Sequence, residues 1–144
     1  MMNHQEKALE LFKNKFQCSQ AVFAAFAAEL GVDETTALKI SSGFGGGMCC
    51  GEVCGAVAGA LMAIGLKYGH AQVHDSESKN STNQKVMEMV SQFKSVNGSI
   101  ICRELLGYDL TDKRELAVIN EKNLFTVFCP KMVASAVDIA ETII

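Results

Sequence analysis

The chain carries six cysteines, Cys18, Cys49, Cys50, Cys54, Cys102 and Cys129. Four of them share a position. Cys18, Cys54, Cys102 and Cys129 each stand at or just inside the start of a segment with helical spacing. A helix start presents unpaired N–H groups and the positive end of the helix dipole. Both favour thiolate over thiol, and the thiolate is the nucleophile of disulfide exchange and the ligand of soft metals. In an up-and-down bundle alternate helices begin at one end, so the pattern predicts that the four sulfurs converge. Three chemistries stay open. The four can cycle between dithiol and disulfide, with Cys54 central. They can instead ligate zinc or an iron–sulfur cluster. Or they fill small gaps, as buried free cysteines commonly do. No Cys-x-x-Cys pair occurs, and the wide spacing lacks the local pairs of most zinc and cluster sites.

Cys54 lies in the stretch Gly43-Phe-Gly-Gly-Gly-Met-Cys-Cys-Gly-Glu-Val-Cys-Gly-Ala-Val-Ala-Gly-Ala60. Its glycines predict a loop that passes into a helix running from Gly51 to Tyr68. Gly51, Gly55, Gly59 and Ala63 recur every fourth residue, giving a stripe without side chains that another backbone can approach. If the helix reaches back to Cys50, then Cys50 and Cys54 share a face, and Cys50 or Cys49 could resolve a disulfide on Cys54. Glu52 reads as a first-turn carboxylate favoured by the helix dipole. The glycines could form an anion-binding nest, but no Lys-Ser/Thr follows them, so this is not a Walker loop. His70 and His74 have metal-ligand spacing only if helical, and Gly69 with polar neighbours predicts an exposed loop.

The elements that must position these sulfurs are helical. One proline and two tyrosines, with abundant Ala, Met, Leu and Glu, favour helix over sheet. Successive helices are predicted over 6–12, from Cys18 to Leu30 with Gly31 as its stop, from an Asp33 N-cap, over 51–68, from a Ser81 capping box to Asn97, over 99–107, from Asp112 to Ile119, and from Cys129-Pro130 to the end. The stretch 124–128 reads as extended. The result is an all-α, compact single-domain helical bundle over 1–144, with about seven or eight helices around a buried Gly/Ala-rich central helix.

Composition narrows function further. Hydrophobic residues make up 49% and charged residues 20%, which supports a packed core. A net charge of -3 gives no basic excess for phosphates, so nucleic acid is not an expected partner. The longest apolar run, 53–66, is too short to insert across a bilayer. No targeting segment is evident at the start, and a cytoplasmic location is expected, where thiols stay reduced.

The segments Cys18-Ser-Gln-Ala-Val22, Cys54-Gly-Ala-Val-Ala-Gly59 and Cys102-Arg-Glu-Leu-Leu-Gly107, with the late Cys129, resemble a family named for its cysteine pattern, C_GCAxxG_C_C, and described as redox-active. The resemblance covers nearly the whole chain. It implies a redox role for Cys18, Cys54, Cys102 and Cys129, and a redox partner, without naming a substrate. Members are often encoded near transporter genes, which implies association with a transporter. Cys49 and Cys50 fall outside the pattern. The glycine stripe could also serve a homo-oligomer or another helical partner. Whether the protein is a catalyst or a carrier stays open.

Overall fold

The computed structural model describes all of residues 1–144. It is all-α: α1 (His4–Lys13), α2 (Cys18–Ala27), α3 (Glu34–Ser41), α4 (Gly55–Tyr68), α5 (Ser76–Asn97), α6 (Cys102–Leu106), α7 (Lys113–Glu121), the single turn α8 (Leu124–Val127) and α9 (Cys129–Ile143). No strand forms beyond one isolated antiparallel bridge between Val53 and Ile101. No single helix is long and apolar enough to cross a membrane.

The centre is the pair α2 and α4, the most extensively packed helices of the fold. Seven residues of α2 from Ala21 to Ala27 are all buried, so this helix is apolar on every side. Small residues let α4 lie close against it. A Cβ on Gly59 would sit 2.6 Å from Ser19 O, closer than real Cβ atoms come, and a tight 3.1 Å from Phe23 N. The Gly55–Gly59–Ala63 stripe is therefore spent on the interior contact between helices. Around this pair α1, α3, α5 and α9 close the core, with Phe26, Ile64, Met89, Phe93, Val133 and Val137 fully buried. Ser19 and Ser41 are the buried polar side chains. Ser19 Oγ donates to Ser41 O and Ser41 Oγ to Ala37 O, both at 2.7 Å, which satisfies them while tying α2 to α3.

Several predicted boundaries move, among them the end of α2, which stops at Ala27 rather than Leu30. α4 begins at Gly55, not Gly51, because residues 46–49 turn left-handed and Gly51 itself has φ 71°. Gly51 therefore leaves the stripe. α5 begins at Ser76 because Asp75 caps it, accepting from Ser78 N–H at 3.1 Å; Ser81 is interior. α6 begins at Cys102 rather than Ser99, since the preceding residues pair with 52–54. The stretch 124–128 is helical rather than extended. No neighbouring strand can pair with it, so its N–H groups turn back, Thr126 and Val127 donating to Asn123 O and Phe128 to Leu124 O.

His4 stitches the first and last helices together. Its Nδ1 lies 2.9 Å from Glu141 Oε1 and its Nε2 lies 3.0 Å from Glu29 Oε1, with the ring stacked on Phe26 at 4.4 Å.

Candidate functional site

Cys18 is the first residue of α2, Cys54 the N-cap of α4, Cys102 the first residue of α6 and Cys129 the first of α9. All four line one cavity of about 840 Å³. Residues far apart in sequence thus meet at a single opening, and all six thiols are free. Cys54 and Cys102 are buried, while Cys18 and Cys129 are half-buried.

A fragment of sheet geometry holds Cys54 beside Cys102. Cys54 N–H donates to Ile100 O at 2.7 Å and Cys102 N–H donates to Glu52 O at 2.6 Å, on either side of the Val53–Ile101 bridge. Side chains alternate along extended backbone, so Cys54 and Cys102 share the face opposite Val53 and Ile101. They are diagonal neighbours, for which the separation is roughly 7 Å. A disulfide needs Cβ atoms about 3.5–4.5 Å apart, so this pair does not close without movement. Outside the bridge, Arg103 donates to Glu52 Oε1 at 2.7 Å and to Gly51 O at 3.2 Å. Glu52 is therefore an exposed salt-bridge partner that clamps the two segments, not a first-turn residue of α4.

Cys18 lies against the start of α4. A Cβ on Gly55 would overlap Cys18 Sγ and lie 2.9 Å from Phe44 O and 3.1 Å from Gly45 Cα. Glycine at 55 is what lets the sulfur reach the helix start. The segment before α4 is bent to the same end. Gly46, Gly47, Met48 and Cys49 have φ of 63°, 62°, 57° and 56°, one left-handed turn. Left-handed backbone costs an L-residue about 1–2 kcal/mol, so Met48 and Cys49 hold strain beside the thiols.

The backbone amides oppose burial at each sulfur. Burial raises the Cys18 thiol, while the N–H groups of Gly46, Ser19, Cys18 itself and Ala56 pull it down; burial wins. Cys54 is pushed up to about 12 by burial and then by charge on Cys18, against the N–H groups of Ala56 and Val57. Cys102 is pushed up to about 11 by burial and charge on Cys18, with Arg103 opposing. Burial, followed by charge on Cys18, Cys54 and Cys102, lifts Cys129 to about 12. Helix starts therefore do not make these thiols acidic as expected, because desolvation outweighs the amides. At neutral pH all four rest protonated. Charge on Cys18 would raise the other three further.

Cys49 is exposed and lines the same cavity, whereas Cys50 is exposed and lies off it. The predicted shared face of Cys50 and Cys54 does not form, since α4 stops short of Cys50. His70 and His74 sit exposed in the loop between α4 and α5, as expected. No three His, Cys, Asp or Glu side chains are grouped closely enough to hold a metal ion in this arrangement. Sequence reasoning missed the cavity walls and Lys15, which lines the opening. Lys15 was hard to find because it takes a left-handed helix-end position that glycine usually marks.

No curated protein and no solved structure matches the chain. A family model does. The family described as "Putative redox-active protein (C_GCAxxG_C_C)" matches residues 16–143, a span that opens just before Cys18 and closes after Cys129, and the chain belongs to that family.

Proposed function

We propose that this protein exchanges thiols for disulfides, with Cys18 as the attacking sulfur and Cys54 as the resolving one. The observation that carries the reading is the position of the Cys18 sulfur, which packs against Gly55 at the start of α4, where Cys54 is the N-cap. Both residues therefore stand at one helix start, which favours exchange between them. Cys18 has the richest set of amides, so it is the thiolate the site favours when one proton leaves.

The reaction balances on these two residues. Cys18 thiolate attacks one sulfur of a partner disulfide, forming a mixed disulfide and releasing the first partner thiolate. Cys54 then loses its proton and attacks Cys18 sulfur, releasing the second partner thiolate. The chain ends with a Cys18–Cys54 disulfide, and the partner disulfide has gained two electrons. Cys102 and Cys129 share the opening and stay protonated while Cys18 is charged. Reduction by a dithiol returns the starting state.

The test is peptide mapping after the reduced protein is treated with one equivalent of an organic disulfide. Loss of two thiols with a Cys18–Cys54 crosslink, reversed by dithiothreitol, is the expected result. Six thiols that persist, or a crosslink between other cysteines, would overturn it. Protein purified without oxygen and bearing iron with sulfide, or zinc, on Cys18, Cys54, Cys102 and Cys129 would make the same residues ligands and would also overturn it.

A further inference from the structure

We propose that the cavity above the cysteines binds an apolar organic acid, an aromatic or alkyl body ending in a carboxylate. Resting on the thiol-exchange reading, we take the substrate to be an organic disulfide of that class. The cavity volume of about 840 Å³ falls in the range of small-molecule sites. Of its 22 lining residues 14 are hydrophobic, with Phe12, Phe16, Phe125 and Phe128 supplying aromatic wall. A polar peptide disulfide would lose its hydration here and regain few hydrogen bonds.

The charges at the opening choose the sign of the ligand. The lining contains Lys13 and Lys15 and no Asp or Glu. The chain as a whole has a net charge of -3, so the opening runs against the overall charge. Neither lysine is used in any of the ion pairs of the fold.

Lys15 adds an independent observation. Phe16 N–H donates to Leu11 O at 3.2 Å and Lys15 N–H donates to Phe12 O at 3.1 Å. This is the hydrogen-bond pattern of a Schellman ending to α1, in which Lys15 holds the left-handed position with φ 75°. Glycine is the residue that stabilises such an ending. A lysine there weakens the end of α1 and puts an exposed residue that joins no ion pair into the cavity lining, in the same turn that delivers Phe16 to the wall. That exchange of stability for a placed charge is what a binding residue looks like.

Two measurements test the proposal separately from the redox reading. In the first, reduced protein is titrated with 2-naphthoate, which cannot react with thiols, and with 2-naphthylmethylammonium of matching size. Saturable naphthoate binding that exceeds ammonium binding is expected. It should weaken roughly threefold to fivefold in Lys15→Gly, the worth of one exposed charge contact. The same variant should melt no lower than the parent. In the second, oxidation rates with 5,5′-dithiobis(2-nitrobenzoate) and neutral 4,4′-dithiodipyridine are each divided by the rate for free cysteine. The ratio of the two should fall by a similar factor in Lys15→Gly. Naphthoate binding no better than the ammonium, or naphthoate affinity unchanged in Lys15→Gly, would overturn the ligand class. Naphthoate binding without oxidation by either disulfide would keep the ligand class and overturn thiol exchange alone.

Discussion

Gly55→Ala tests whether the Cys18 cradle is as tight as its geometry requires. The new methyl would overlap Cys18 Sγ and press on Phe44 O at 2.9 Å and Gly45 Cα at 3.1 Å. Two of those three neighbours are backbone and cannot swing away. Overpacking of this kind costs about 1–3 kcal/mol, while alanine in a helix returns up to about 1 kcal/mol relative to glycine. The net expectation is a loss of about 1–2 kcal/mol, or a Tm lower by roughly 3–8 °C for a domain of this size. Gly65 is the control, because a methyl added there, on the same helix, would meet nothing within 4 Å. Gly65→Ala should gain about 0.5–1 kcal/mol and raise Tm by roughly 2–4 °C. Both are read by circular dichroism melts in reductant. Mapping of iodoacetamide labelling should also show Cys18 reacting at a changed rate in Gly55→Ala alone. Combining Gly55→Ala with Cys18→Ala removes one contact and leaves Phe44 O, so the double variant should cost less than the two singles summed. Equal Tm shifts for Gly55→Ala and Gly65→Ala would refute the cradle.

Three further outcomes follow from strain and titration. Met48→Gly should stabilise by about 1 kcal/mol in denaturant melts, because Met48 is left-handed at φ 57° and exposed, so little packing is lost. Stability should fall as pH rises above about 9. The unfolded chain ionises its thiols there, while folded Cys54 and Cys129 hold their protons to about 12 and Cys102 to about 11. Folded-state protons thus exceed unfolded-state protons, giving a slope of up to about 1.4 kcal/mol per pH unit for each thiol, which Cys54→Ala should reduce. At the other end of the scale, burial lowers the His4 pKa, but hydrogen bonds with Glu141 and Glu29 outweigh it and leave the pKa raised. Its contribution should be complete below the unfolded value near 6.5 and disappear as pH rises through the folded value; a pH profile unchanged by His4→Gln would refute this.

What the amino-acid order made legible is the part governed by local rules. Asp33 and Asp112 cap α3 and α7 because their carboxylates reach N–H groups two or three residues on, and such contacts are visible in a short window. Pro130 in the first turn of α9 and the apolar spacing of Val133, Ala136, Val137 and Ala140 are of the same kind. The four helix-start cysteines were also legible, and their convergence followed once the helices packed. Three things were not. Val96 fits the apolar stripe of Val86, Met89, Val90 and Phe93 on α5 yet stands exposed, because periodicity gives a face and not the depth to which it is covered. The extended preference of 124–128 failed because a strand needs a partner and none comes within reach. The sulfurs had the opposite fault. The helix-start argument identified the amides at Cys18 and Cys54 correctly, but the sign of the pKa shift depends on how much water surrounds each thiol. That quantity is set by how distant segments pack around the cavity, not by the residues beside each cysteine. The reactive state of this cluster is therefore a tertiary property. A ligand that enters the cavity displaces water still further, which raises the cost of a free thiolate unless the ligand's own disulfide takes up the charge as it forms. If exchange runs through Cys18 as proposed, attack and deprotonation there should be coupled, and a labelling rate measured with a polar reagent would understate the rate with an apolar one.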